Sequence, residues 1–88
     1  MIVFIEGKLL SKEPQKIVIN VKGIGYECSI SSFTYEKLPE LDDSISLHTY
    51  LNIRENNQSL FGFLNIEEKN LFKMLISING IGPKTAMP

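Results

Sequence analysis

Near the C-terminal end, the stretch Asn79-Gly80-Ile81-Gly82-Pro83-Lys84 has the residue types needed to hold a phosphate with its backbone. Glycine accepts positive φ and carries no Cβ, so the main chain can come close to an anion. Pro83 suits the first turn of a helix, whose free N–H groups and positive dipole end would face that anion. Lys84 adds a point charge beside it. Asn79, Gly80, Ile81, Gly82 and Lys84 are therefore the candidate DNA-binding residues. Contacts of this kind touch the nucleic-acid backbone, so any selectivity would be for shape rather than sequence. A bare Gly-x-Gly is more often only a helix C-cap and tight turn. Here Leu75, Ile76 and Ile78 precede the turn, and Pro83, Lys84 and Ala86 follow it in register. That context favours a helix-hairpin-helix, with Ile81 turned inward to tie two helices together.

The remaining chemistry-bearing residues are sparse. Cys28 is the single cysteine and His48 the single histidine, which leaves no internal disulfide and no zinc set, and both read as structural. His48 falls on the polar side of its segment and is expected at the surface. A Gly-x-x-x-x-Gly-Lys-Ser/Thr loop is lacking, as are paired carboxylates spaced to hold catalytic magnesium. The expectation is a chain that neither uses a cofactor nor catalyses a reaction.

Several elements must position the glycine turn. Residues Ile2 to Leu10 read as a strand, ended by a turn over Ser11 to Gln15. Lys16 to Val21 is short and β-branched and pairs with it as a hairpin. Gly23-Ile24-Gly25 resembles the later glycine pair but lies between strand patterns, so it reads as a β-turn or bulge. In Tyr26 to Ser31, Tyr26, Cys28 and Ile30 alternate with Glu27, Ser29 and Ser31, placing the first set inside and the second in water. Ser32 to Leu38 allows one helical turn before Pro39, and Glu40 to Asp43 is an acidic loop.

The longest period-two signal follows. Ile45, Leu47, Thr49, Leu51 and Ile53 share one face, and Ser46, His48, Tyr50, Asn52 and Arg54 share the other. Glu55-Asn56-Asn57-Gln58 is a polar hairpin tip leading into Ser59 to Phe63. A helix then begins at Asn65 as N-cap, with Glu68 completing a capping-box variant. Leu71, Phe72, Leu75, Ile76 and Ile78 are its expected buried stripe, with Lys69 and Lys73 outside. Five strands, a helical turn between the third and fourth, and a final helix match a small OB-fold barrel. The expected division is residues 1–64 as the barrel and 65–88 as the helix with a truncated helix-hairpin-helix.

Composition sets limits on function. Eighty-eight residues with 43% hydrophobic content suit one small domain. A chain of this size buries only roughly 60 to 65% of its unfolded surface. No apolar run approaches the about 18 residues of a membrane span. Glu6 interrupts the apolar start, which therefore reads as a strand rather than a signal peptide, and the expected compartment is the cytoplasm. A net charge of −1 argues against a surface that grips nucleic acid everywhere, because affinity scales with the number of cations that displace counterions. Any DNA contact is expected to be local.

Four stretches together resemble the N-terminal part of the RuvA family of bacterial Holliday-junction branch-migration proteins. They are Ile5-Glu6-Gly7, Gly23-Ile24-Gly25-Tyr26-Glu27, Arg54-Glu55 with Leu60-Phe61-Gly62-Phe63, and Leu71-Phe72 through Lys84. The resemblance implies an OB-fold first domain, a second domain with two helix-hairpin-helix motifs and a third that binds the RuvB motor ATPase. It also implies a homotetramer, four-way junction DNA as ligand, the RuvC resolvase as a further partner, and a place in recombination, repair and the SOS response. By that likeness Glu55 and Asn56 form an acidic pin at the tetramer centre. A carboxylate there would repel phosphates and disfavour continuous duplex. The family usually has a second acid where this chain has Asn56, which halves the pin's charge. Met87-Pro88 falls where the second hairpin helix should continue, so the sequence is expected to be a fragment whose hairpin is incomplete.

Two other readings stay open on the residues. A generic OB-fold single-strand binder would need exposed aromatics beside basic residues, for which Tyr50 near Arg54 is the best pair. A fragment of a helix-hairpin-helix repair enzyme would need a Lys or Asp beyond the hairpin.

Overall fold

The computed structural model describes residues 1–78, 82, 83 and 87. Strands β1 (Phe4–Glu13), β2 (Lys16–Val21), β3 (Ile24–Ser29), β4 (Ser44–Arg54) and β5 (Asn57–Phe63) form a closed barrel in the order β1-β2-β3-β5-β4. Helix α1 (Ser32–Glu36) lies between β3 and β4, and α2 (Ile66–Ile76) follows β5. All neighbouring pairs are antiparallel except β3 and β5, which close the barrel in parallel through Ser29 and Phe61. This is the OB-type barrel that the strand pattern predicts.

The first strand is longer than the sequence suggests. Instead of turning at Ser11, β1 continues to Glu13, and the turn shrinks to Pro14-Gln15. A shift in register between Leu9 and Ser11 explains how. Leu10 is the extra residue of a β-bulge, which bends the strand around the barrel while keeping Leu9 wholly inside.

The β2–β3 hairpin closes through Lys22-Gly23, both with positive φ, at 52° and 92°. That two-residue geometry matches the twist of the flanking strands, and glycine adopts it without a steric cost. Asn20 Oδ1 accepts the Gly23 N–H at 2.8 Å and pins the turn. The predicted turn thus sits one residue earlier, and Ile24 and Gly25 already belong to β3.

The core comprises Ile5, Leu9, Ile17, Ile19, Cys28, Ile30, Ile45, Leu47 and Leu60, with Tyr35 and Leu38 packed against it from α1 and the loop that follows. Gly62 faces inward on β5, where a Cβ would lie 2.8 Å from Leu47 Cδ1, so its missing side chain is the space Leu47 fills. Ser31, expected in water, is buried as the N-cap of α1 and accepts the Thr34 N–H at 3.1 Å. Capping the helix satisfies a backbone donor that burial would otherwise strand. Thr49, fully buried, donates from Oγ1 to the Ile2 carbonyl at 2.9 Å, which ties β4 to the chain before β1.

Candidate nucleic-acid interface

The β4–β5 hairpin carries the polar tip. Its ladder runs without a break from His48 opposite Phe63 to Arg54 opposite Asn57, and Glu55-Asn56 closes it. The tip is therefore two residues, shorter than the four that composition suggests. Neither has positive φ, since among the described residues only Lys22, Gly23 and Asp42 do. From Ile53 to Gln58 every residue is exposed, whereas Leu60 to Phe63 are buried. The hairpin thus starts inside the barrel wall and projects past it. Among the described residues the one ion pair is Lys16 with Glu27, at 3.9 Å on the surface, so neither Arg54 nor Glu55 has an ion-pair partner among them.

The other end of the same hairpin holds α2. Phe61 and Phe63 point outward on β5 and, with Tyr50 of β4, surround Phe72. Ring centroids lie 5.0 Å, 5.1 Å and 5.7 Å from Phe72 for Phe61, Phe63 and Tyr50. Phe72 is 2% exposed, and burying it contributes roughly 2 to 3 kcal/mol to docking the helix. The expected capping-box variant forms, with its reciprocal bond made between side chains: Asn65 Oδ1 accepts the Glu68 N–H at 2.9 Å, and Asn65 Nδ2 donates to Glu68 Oε1 at 2.6 Å.

The helix is rotated from its predicted phase. Leu71, expected inside, is 57% exposed, while Lys69, expected outside, is 8% exposed; Ile78, also expected inside, is 54% exposed because α2 ends at Ile76 and Ile78 lies beyond its Ser77 C-cap. Phe72 decides the phase, because its ring requires the aromatic pocket, and Lys69 one turn earlier must then face the barrel as well. Burial lowers the pKa of Lys69, and the like charge of Lys73 adds to the effect. His48, expected at the surface, is half-buried with its ring edge-on to Phe4 at 5.5 Å. Tyr50 fares similarly. Its ring packs on Phe72 and is not free to serve as the base-stacking platform that a single-strand binder would need.

Of the candidate phosphate contacts, Asn79, Gly80, Ile81 and Lys84 lie outside the described residues. Gly82 has no positive φ, and among the described residues a Cβ there would meet nothing within 4 Å. Among the described residues, neither strain nor crowding demands glycine at this position. Pro83 is helical and its carbonyl accepts the Met87 N–H at 3.1 Å, and Met87 packs against the Phe72 cluster. No helix among the described residues is long and apolar enough to cross a membrane.

A closed five-stranded barrel with a projecting hairpin and a helix docked on that hairpin's root is an OB-type domain. The family model described as RuvA N terminal domain matches residues 1–62. The Holliday junction branch migration complex subunit RuvA of Cytophaga hutchinsonii is 46% identical over 87 residues, covering 99% of this chain and 43% of that protein. Those of Neisseria meningitidis and Amoebophilus asiaticus are 47% and 44% identical, again covering 99% of this chain and 45% of theirs. The chain belongs to the RuvA family. It spans less than half the length of these relatives.

Proposed function

We propose that this chain is a non-catalytic DNA-binding part of a Holliday junction branch migration subunit, recognising four-way junctions during recombination and repair. The observation that supports this reading most is the projecting Glu55-Asn56 tip in a chain 46% identical, over nearly its whole length, to a subunit named for that complex. The two candidate sites divide the work. Asn79, Gly80, Ile81, Gly82 and Lys84 hold phosphates of the duplex arms through backbone N–H groups and one ammonium. Glu55, with Asn56 beside it, sits where a continuous duplex would place phosphates and repels them, so an opened crossover is favoured over a plain duplex.

Assembly follows from the same reading. A homotetramer would bring four tips together around the crossover, matching the fourfold arrangement of DNA arms. The barrel over 1–64 would serve this centre and residues 65–88 the arms. Motor work would belong to a RuvB-type ATPase and strand cleavage to a RuvC-type resolvase, both acting on the same junction.

The test is direct. A protein of the relatives' full length carrying these residues should bind a four-way junction more tightly than a duplex of the same sequence. Replacing Lys84 by Gln should weaken both to a similar degree and flatten the dependence of affinity on salt. Equal affinity of the unaltered protein for junction and duplex would refute the reading.

A further inference from the structure

The projecting hairpin carries a second feature besides its acidic tip. Ile53, two residues before Glu55, is 62% exposed although it shares a strand face with Ile45, Leu47 and Thr49 in the core. It pairs with Gln58 across the ladder, next to the closing pair of Arg54 and Asn57. An aliphatic β-branched side chain is thus held in water on a fully paired ribbon, where its χ1 is stiff and little entropy remains to be lost on contact.

We infer that Ile53 is a base-contacting residue, covering the face of a nucleobase left unstacked at the strand crossover. This rests on the junction-binding reading above and adds to it an attractive element beside the repulsive one. Phosphates and sugars offer an aliphatic group little, and Glu55 keeps phosphates away from this spot. Base faces are the flat apolar surface of DNA, and in continuous duplex they are covered by their neighbours. A crossover can expose one within reach of a hairpin tip, and apolar side chains are a recurrent means of engaging a disrupted base step. Ile53 and Glu55 therefore favour the junction by different physics. The Glu55 contribution fades as salt screens it, and the Ile53 contribution does not.

The experiment uses a protein of the relatives' full length carrying these residues, a four-way junction with 2-aminopurine at the crossover, and a matching duplex. Binding of the unaltered protein should raise 2-aminopurine fluorescence. Ile53→Ser should reduce that rise and weaken junction binding at least fivefold, equally at low and high salt, with duplex binding and oligomeric mass unchanged. Ile53→Val should retain most of the affinity. If Ile53→Ser leaves junction affinity and fluorescence unchanged while Glu55→Gln narrows the junction preference, the base contact is wrong and the junction reading survives. A loss of affinity that tracks loss of oligomeric mass also overturns the base contact, by placing Ile53 between subunits. No junction preference in the unaltered protein overturns both.

Discussion

Leu47 and Ile53 occupy the same face of the same strand, three alternations apart, yet one is fully buried and the other is 62% exposed. Between them β4 passes from the barrel wall into a free ribbon. At Leu47 the partner across the interior is the empty side of Gly62, and packing decides everything. At Ile53 the cross-strand partner is Gln58, itself exposed, and little of the fold depends on the side chain. A strand that is core at one end and surface at the other lets the core fix the direction in which the tip points. The difference separates residues on which the fold depends from residues on which it does not.

That separation can be broken by substitution. The largest effect is expected at Phe72, which joins helix to barrel: Phe72→Ala should cost about 3 to 4 kcal/mol in urea unfolding and expose Phe61 and Phe63. Leu47→Ala should cost about 3 kcal/mol, because the cavity opens in the barrel centre where no neighbour can collapse into it. The contrasting change, Ile53→Ala, should move stability by no more than about 0.5 kcal/mol. A cost at Ile53 approaching that at Leu47 would erase the distinction between wall and ribbon.

Cys28 sharpens the same contrast from the buried side. Burial, aided by the nearby Glu27 carboxylate, pushes its thiol from 9.0 up to about 12. Because the folded value is the higher one, the neutral thiol contributes stability that is complete below about pH 9 and lost as pH rises toward 12. Unfolding midpoints should therefore fall across that window, and Cys28→Ala should reduce the fall. At pH 8 the native protein should resist a thiol reagent that labels the urea-unfolded chain at once.

How much of this was legible in the sequence depends on which physical signal carried it. Alternation along β4 and most of β3 and the Asn65 cap are readable, because each is local, whereas the turns are readable as regions but come out shorter or shifted by a residue. Depth is not readable. Period two assigns Ile53 a face but cannot say that the barrel ends at Leu51. In α2 the apolar residues outnumber the places available inside, so hydrophobicity alone admits Leu71, and it does not mark the helix end at Ile76 that leaves Ile78 outside. Only the aromatic pocket of Tyr50, Phe61 and Phe63 selects Phe72 and draws Lys69 in with it. Tyr50, with Arg54 the best pair that a single-strand binder could have, is taken up for the same reason, since an aromatic on the polar face of a strand can be claimed by a helix that arrives later. The tip was visible as polar sequence, and its two-residue turn follows from a ladder that extends to Arg54 and Asn57. Most of the glycine turn, Asn79 to Ile81 and Lys84, lies outside the described residues, and of its flanking residues Pro83 is helical.

The proposed role of the tip is tested most directly by one ratio: the dissociation constant for duplex over that for a four-way junction, measured for the unaltered full-length protein and for Glu55→Gln at low and near-physiological salt. Removing the carboxylate keeps size and polarity while relieving repulsion toward phosphates at the crossover. Duplex binding should tighten more than junction binding, the ratio should fall, and the difference between the proteins should shrink as salt rises. An unchanged ratio at both salts would make Glu55 an ordinary surface residue and contradict the account.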